Sequence, residues 1–268
     1  MATLSYAHYW STYKHILKKS ADKLAEGMAD LDDFNYEDGD SGSDRLTGTG
    51  GNDALLGRGG ADTLLGYGGH DFILGGPGPD SIWGGDGIDV IFGAQGKDVI
   101  FGQTGSDFID GGPGNDVIWG GEGNDFLLGG FGNDKITGED GSDFLYGSYG
   151  QDSLFGKDGD DRLRGSFDDD RLDGGAGDDV LTGGPGRDSF VFNGGDDRIR
   201  DFETGDEKNG RKTESITIDI AGIDDFQSLM AHASQQDGDT VFDLGDGNSL
   251  KLEGVSMDML DQSMFDFV

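Results

Sequence analysis

From Leu46 to Ile199 one apolar side chain returns at every ninth position, through Leu55, Leu64, Ile73, Ile82 and Ile91, without a missed beat. The first six positions of each nine-residue block are mostly glycine or polar. Neither the 3.6-residue period of a helix nor the alternation of a long strand fits this spacing. It fits a stack of short units, each too small to bury its own apolar residue. A three-residue strand turns one side chain inward, and copies piled at ~4.8 Å build a continuous core and a hydrogen-bonded ladder. At two blocks per turn, the eighteen blocks starting at Gly39 predict nine turns, roughly 43 Å in length.

The flanks follow other patterns. Tyr6, Tyr9, Trp10, Tyr13, Ile16, Leu17, Leu24, Met28 and Leu31 fall at three- and four-residue steps, which predicts an amphipathic helix over about residues 4 to 32. Past residue 200, alternation at Ile216, Ile218 and Ile220 and at Val241, Leu244, Leu250 and Leu252 predicts short antiparallel strands closing the stack. Asp224 or Asp225 is placed to cap a helix through FQSLMAHAS. The expected division is residues 1–38 as an N-terminal helix, 39–200 as the repeat stack and 201–268 as a β-rich cap.

Within the blocks, the first and fourth positions are glycine and the sixth is aspartate. The aspartates are Asp44, Asp53, Asp62, Asp71, Asp80, Asp89, Asp98, Asp107, Asp116, Asp125, Asp134, Asp143, Asp152, Asp161, Asp170, Asp179, Asp188 and Asp197. Glycine permits the backbone of a tight loop with inward-turned carbonyls, so stacking lines these carboxylates up in two columns. Composition sharpens the point. With 54 Asp and Glu against 19 Lys and Arg, a net charge of −35 and 33% hydrophobic residues, the chain has the balance of a disordered polymer. A hard cation between successive loops would remove the repulsion, and it suits carboxylate and carbonyl oxygens. Nine loops on each side leave room for up to about 16 such ions. The charge that argues for disorder thus argues for metal-dependent order. It also argues against attraction to nucleic acid. There is no cysteine for a disulfide or thiolate site, the first twenty residues lack the order of a cleavable signal peptide, and no stretch approaches the ~20 apolar residues of a membrane span.

The blocks match GGxGxDxUx, and the chain resembles the haemolysin-type RTX family of calcium-binding nonapeptide repeats over about residues 39 to 200. That resemblance implies a parallel β-roll, a right-handed β-solenoid, with Ca2+ held in the loops by the eighteen aspartates and by carbonyls of loop glycines such as Gly78, Gly87, Gly96, Gly114 and Gly123. It also implies export by type I secretion machinery through an uncleaved signal in the last several dozen residues, and an extracellular protein. Asp168 in place of the fourth-position glycine, Phe192 in place of the first, and Pro79 before Asp80 depart from the pattern.

A catalytic constellation is not expected. HExxH and GxSxG, which mark protease and lipase members, do not occur, and GDSGSD at Gly39 is in register with the repeats. His8, His15, His70 and His232 are scattered. Two classes of role stay open: a secreted calcium-responsive binding or structural protein, or a detached accessory module of a polysaccharide-modifying enzyme. The apolar outward stripes Leu56, Phe72, Leu74, Val90, Phe92, Phe108, Phe126, Leu128, Phe144 and Tyr146, and Leu65, Trp83, Val99, Phe101, Val117 and Trp119, call for a cover, either the N-terminal helix or the C-terminal cap, or else suit self-association, membrane or protein contact. Arg162, Arg164, Arg171, Arg198 and Arg200 suit an acidic polysaccharide or neighbouring aspartates.

Overall fold

Two parallel sheets grow side by side as the chain winds, each receiving every second block. The computed structural model describes residues 34–206 and 211–268, of which Tyr36–Val268 form one unit. The helix expected over about residues 4 to 32 falls outside the described residues. Residues 35–38, expected to belong to that helical segment, instead form the strand Asn35–Asp38, the first rung of the first sheet.

Strand Val117–Glu122 shows how a block builds its rung. It pairs in parallel with Val99–Thr104 behind it and Lys135–Asp140 ahead, and Ile118 stacks between Ile100 and Ile136. All three isoleucines are fully buried, as are nearly all their counterparts from Leu55 to Ile199. One buried Ile or Leu per block contributes about 1.5–3 kcal/mol, so the core exists only as a stack. Rows of this kind explain the single inward apolar position per block.

The strands are longer than the three-residue stretch expected. Most run six residues, because the ladder continues through the first-position glycine and resumes at the next two positions, as in Gly121 opposite Gln103 and Glu122 opposite Thr104. The chain turns at the second position, where φ is positive: 119° at Gly121 and 83° at Gln103. Only the fourth to sixth positions remain as loop. Asp168 takes the left-handed backbone of the glycine it replaces, at φ 78°, and its amide still donates to the Pro185 carbonyl. The break in the sequence pattern therefore does not break the stack.

On the outer faces, side chains of equal register meet one rung apart. Trp83, Phe101 and Trp119 stack along the second sheet with ring centroids 5.5 and 4.5 Å apart. Phe108 and Phe126 do so on the first sheet at 5.6 Å. Such contacts add about 0.5–1.5 kcal/mol each beyond burial. The neighbouring row of that sheet is interrupted by Asp110, between Phe92 and Leu128 and 7% exposed, and Phe126 and Phe144 remain 42% and 44% exposed.

Beyond Ile199 the sheets continue; the strand holding Ile216 and Ile218 pairs in parallel where an antiparallel one was expected, while the strands holding Val241 and Leu250 do pair antiparallel. Ser215–Ile218 adds in parallel to Ser189–Phe192, and Phe265–Phe267 adds in parallel to Ser215–Ile218. Asn248–Leu252 extends the first sheet in parallel, and Asp239–Gly245 and then Ala233–Gln236 follow it antiparallel. The inward phase of Asp239–Gly245 is Thr240 and Phe242, both fully buried, rather than Val241. Thr240 satisfies its hydroxyl by donating to the Val255 carbonyl at 2.8 Å. The helix Phe226–Ala231 is capped by Asp225, whose carboxylate accepts from the Ser228 amide at 2.7 Å.

Candidate metal centre

Each sixth-position aspartate sits where loop becomes strand, and its backbone is committed to the ladder. The Val117 amide, for example, donates to the Asp98 carbonyl at 2.9 Å. The side chain extends this ladder. The amide of Asp98 donates to Oδ1 of Asp116, and Asp116 in turn to Oδ1 of Asp134, each at 2.8 Å. The same bond recurs along both columns from the Asp44 amide to Asp188 and from the Asp53 amide to Asp197, at 2.8–3.0 Å. The aspartates therefore do stand in two columns, one per sheet.

The second oxygen is different. From Asp62 to Asp197 all sixteen aspartates bury Oδ2 with no hydrogen-bond partner among the described residues. Asp44 and Asp53, at the N-terminal ends of the columns, differ again: their Oδ2 atoms accept from the amides of Asp40 and Thr49 at 2.7 and 2.6 Å. The eighteen expected ligands thus divide into sixteen with an unsatisfied oxygen and two sealed by their own loops.

Burial and repulsion set the electrostatics. Removal from water, more than any other cause, pushes Asp116 up to about 8, and the charges of Asp134 and Asp98 add to it against the opposing backbone hydrogen bond. Asp71 and Asp125 are pushed to about 7, and Asp98 and Asp143 to about 6, by the same burial. Without a counter-ion these carboxylates are held against their ordinary ionisation.

The glycines make room beside each carboxylate. A Cβ built on the first-position Gly111 would lie 2.7 Å from Asp116 Oδ2 and 2.9 Å from the Gly129 carbonyl oxygen one turn on. At the fourth position, a Cβ on Gly114 would lie 2.7 Å from Asp116 Oδ1 and 1.5 Å from the Gly96 carbonyl oxygen. The carbonyls of Gly78, Gly87, Gly96, Gly114 and Gly123 all lie this way, 1.5–1.9 Å from where the next turn's glycine would carry a Cβ. First-position carbonyls such as Gly129 and Gly138 border the same carboxylates. Sequence reasoning misses them, although their regularity equals that of the fourth position.

Among the described residues no three acidic or histidine side chains gather into a metal-binding group. A cation here would be held by carboxylates of successive turns and by carbonyls. That donor set is oxygen alone, crowded, anionic and lacking donors of its own, which fits Ca2+ and not a thiolate- or imidazole-loving metal. Sequence reasoning also misses Glu214, 1% exposed and pushed up to about 9 chiefly by burial.

Comparison with known proteins agrees with this chemistry. The profile described as "RTX calcium-binding nonapeptide repeat (4 copies)" matches in overlapping segments spanning residues 38–199. No curated protein matches. Among solved structures, an extracellular lipase, LipA, from Serratia marcescens is similar at 19% identity, with a TM-score of 0.38. The similarity covers 87% of this chain and 40% of that one, so the chain spans well under half of the lipase.

Proposed function

The chain belongs to the RTX calcium-binding repeat family, and from that premise we propose that it is a secreted, non-catalytic protein whose roll takes up Ca2+ outside the cell and becomes ordered by doing so. One observation carries the reading: sixteen buried Oδ2 atoms stand in two columns with no donor to satisfy them among the described residues. Calcium bound there would supply the positive charge that the columns lack. The aspartates and glycine carbonyls would hold it, and the ladder would orient them. Sites of this kind in extracellular modules bind at about 10⁻⁴–10⁻³ M, far above resting cytosolic calcium. Export as an expanded chain through type I secretion machinery, led by residues 201–268, is part of the same proposal. Equilibrium dialysis of the full chain against buffered calcium tests it. We expect more than about ten ions taken up cooperatively in that concentration range. Uptake of only one or two would overturn it.

A second reading has its own observation. In a chain this acidic, Arg162, Arg164 and Arg200 are exposed on the outer face of the first sheet with no ion-pair partner among the described residues. Arg162 lies over the Phe144 ring at 5.0 Å and Arg164 over Tyr146 at 5.6 Å, bordering a groove of about 250 Å3. Arg198 is engaged with Glu253 at 3.3 Å, and Arg171 with Asp173 at 3.4 Å on the other sheet. Of the five arginines, Arg171 thus pairs with a neighbouring aspartate and Arg198 with a glutamate, and Arg162, Arg164 and Arg200 are left for another partner. Guanidinium over aromatic rings suits a carboxylated glycan. With free calcium held constant, the double variant Arg162→Ser/Arg164→Ser should bind polygalacturonate about tenfold more weakly than the wild type. Equal binding would remove this reading.

A further inference from the structure

The strand Ser215–Ile218 supplies the rung after Ser189–Phe192, with Ser215 opposite Ser189. Glu214 therefore stands in the column directly beyond Asp188, although 26 residues separate them instead of the usual 18. The excess is taken up by a hairpin, Thr204–Asp206 with Arg211–Thr213. The Ser215 amide donates to the Asp188 carbonyl at 3.1 Å, as the Arg171 amide does to Asp152 at 2.9 Å. The sequence still carries an aspartate in register at Asp206, but that residue lies in the hairpin, and its place in the column is taken by a glutamate.

Its side chain is 1% exposed. Oε2 accepts from the Glu203 amide at 2.8 Å, while Oε1, like Asp188 Oδ2, has no hydrogen-bond partner among the described residues. Closing a roll does not require such a group. In the first sheet the residue opposite Asp197 is Leu250, fully buried in the core. One column ends on an apolar residue, and the other on a second carboxylate pressed against Asp188. A buried acid in that place is costly unless a cation compensates it. A cleft of about 540 Å3 bordered by Asp188, Thr213, Glu214 and Ser263 leads to it.

We propose that Glu214 is the terminal carboxylate ligand of the second-sheet column, and that Ca2+ held by Glu214 and Asp188 with nearby carbonyl oxygens fastens the C-terminal strands to the roll. The assignment rests on reading the columns as calcium ligands, and it adds a consequence. Phe265–Phe267 pairs with Ser215–Ile218, so the last residues are locked into the sheet only once this rung is neutralised. The segment proposed to lead export would then be sequestered by the calcium met outside.

Hydrogen exchange of the full chain across a calcium titration, with bound calcium counted by dialysis, tests this. Glu214→Gln should bind one ion fewer and need about tenfold more calcium to protect residues 215–218 and 265–267, since ligand charge tunes affinity by decades. The midpoint at residues 99–122 should not move. Glu214→Asp, which keeps the charge, should recover part of the shift. Unchanged count and midpoint in Glu214→Gln would overturn the assignment, as would equal loss of protection in both variants at every calcium level. If wild-type residues 99–122 respond to calcium while 215–218 do not, this assignment alone fails. If residues 99–122 are equally protected in chelator, the underlying reading fails with it.

Discussion

Chelating calcium at neutral pH is expected to abolish the far-ultraviolet β signal of the roll and to swell the chain, its radius of gyration rising toward about 55 Å, the value of an unfolded chain of this length. Two features make the effect large. Burial of one Ile or Leu per nine residues is small beside the conformational entropy of ordering those residues, many of them glycine. Meanwhile every rung brings another buried carboxylate against those of its neighbours, as Asp116 stands with Asp98 and Asp134. Since each rung is stabilised mainly by the next, loss of the ions between them propagates along the array. Metal binding and folding should be one transition, with circular dichroism and calcium uptake sharing a midpoint. A full β spectrum in chelator would refute this.

The interior of the roll is legible in the repeat itself. A single apolar position and a single aspartate per block, repeated without a slip, fix which side chain turns inward and which one stacks at the loop. Strand length is not legible, because glycine at the first position reads as loop while the ladder runs through it, as at Gly120 between Trp119 and Gly121. Nor is the sealing of Asp44 and Asp53 by their own loop amides, since those blocks share the motif of their neighbours. Glu214 escapes for a different reason. Register in sequence is lost once a hairpin is inserted, but register in a sheet is set by pairing with Ser189. The parallel course of Ser215–Ile218 follows likewise from an existing parallel edge, which alternation alone does not reveal.

Acid is expected to replace calcium in part. In the folded, metal-free roll, burial raises Asp107 and Asp134 to about 7 and Asp116, Asp152 and Asp161 to about 8. In the unfolded chain the same groups return to the ordinary value of 3.8. Between those limits the folded state binds more protons than the unfolded one, so its stability rises as pH falls from about 8 toward 4 and is lost as pH rises again. This is the reverse of a salt-bridged aspartate, because here the charge is opposed by burial and by like neighbours. Chelated protein brought from pH 8 to pH 5.5, still above its pI of about 4.1, should therefore regain β signal and contract in scattering. Calcium added at pH 5.5 should then release protons, since each ion displaces hydrogen from a carboxyl group it binds. At pH 8, where the expanded chain carries its aspartates ionised, the same addition should fold the protein with little proton release. A chelated chain equally expanded at both pH values would show that column repulsion is not what keeps the metal-free roll from forming.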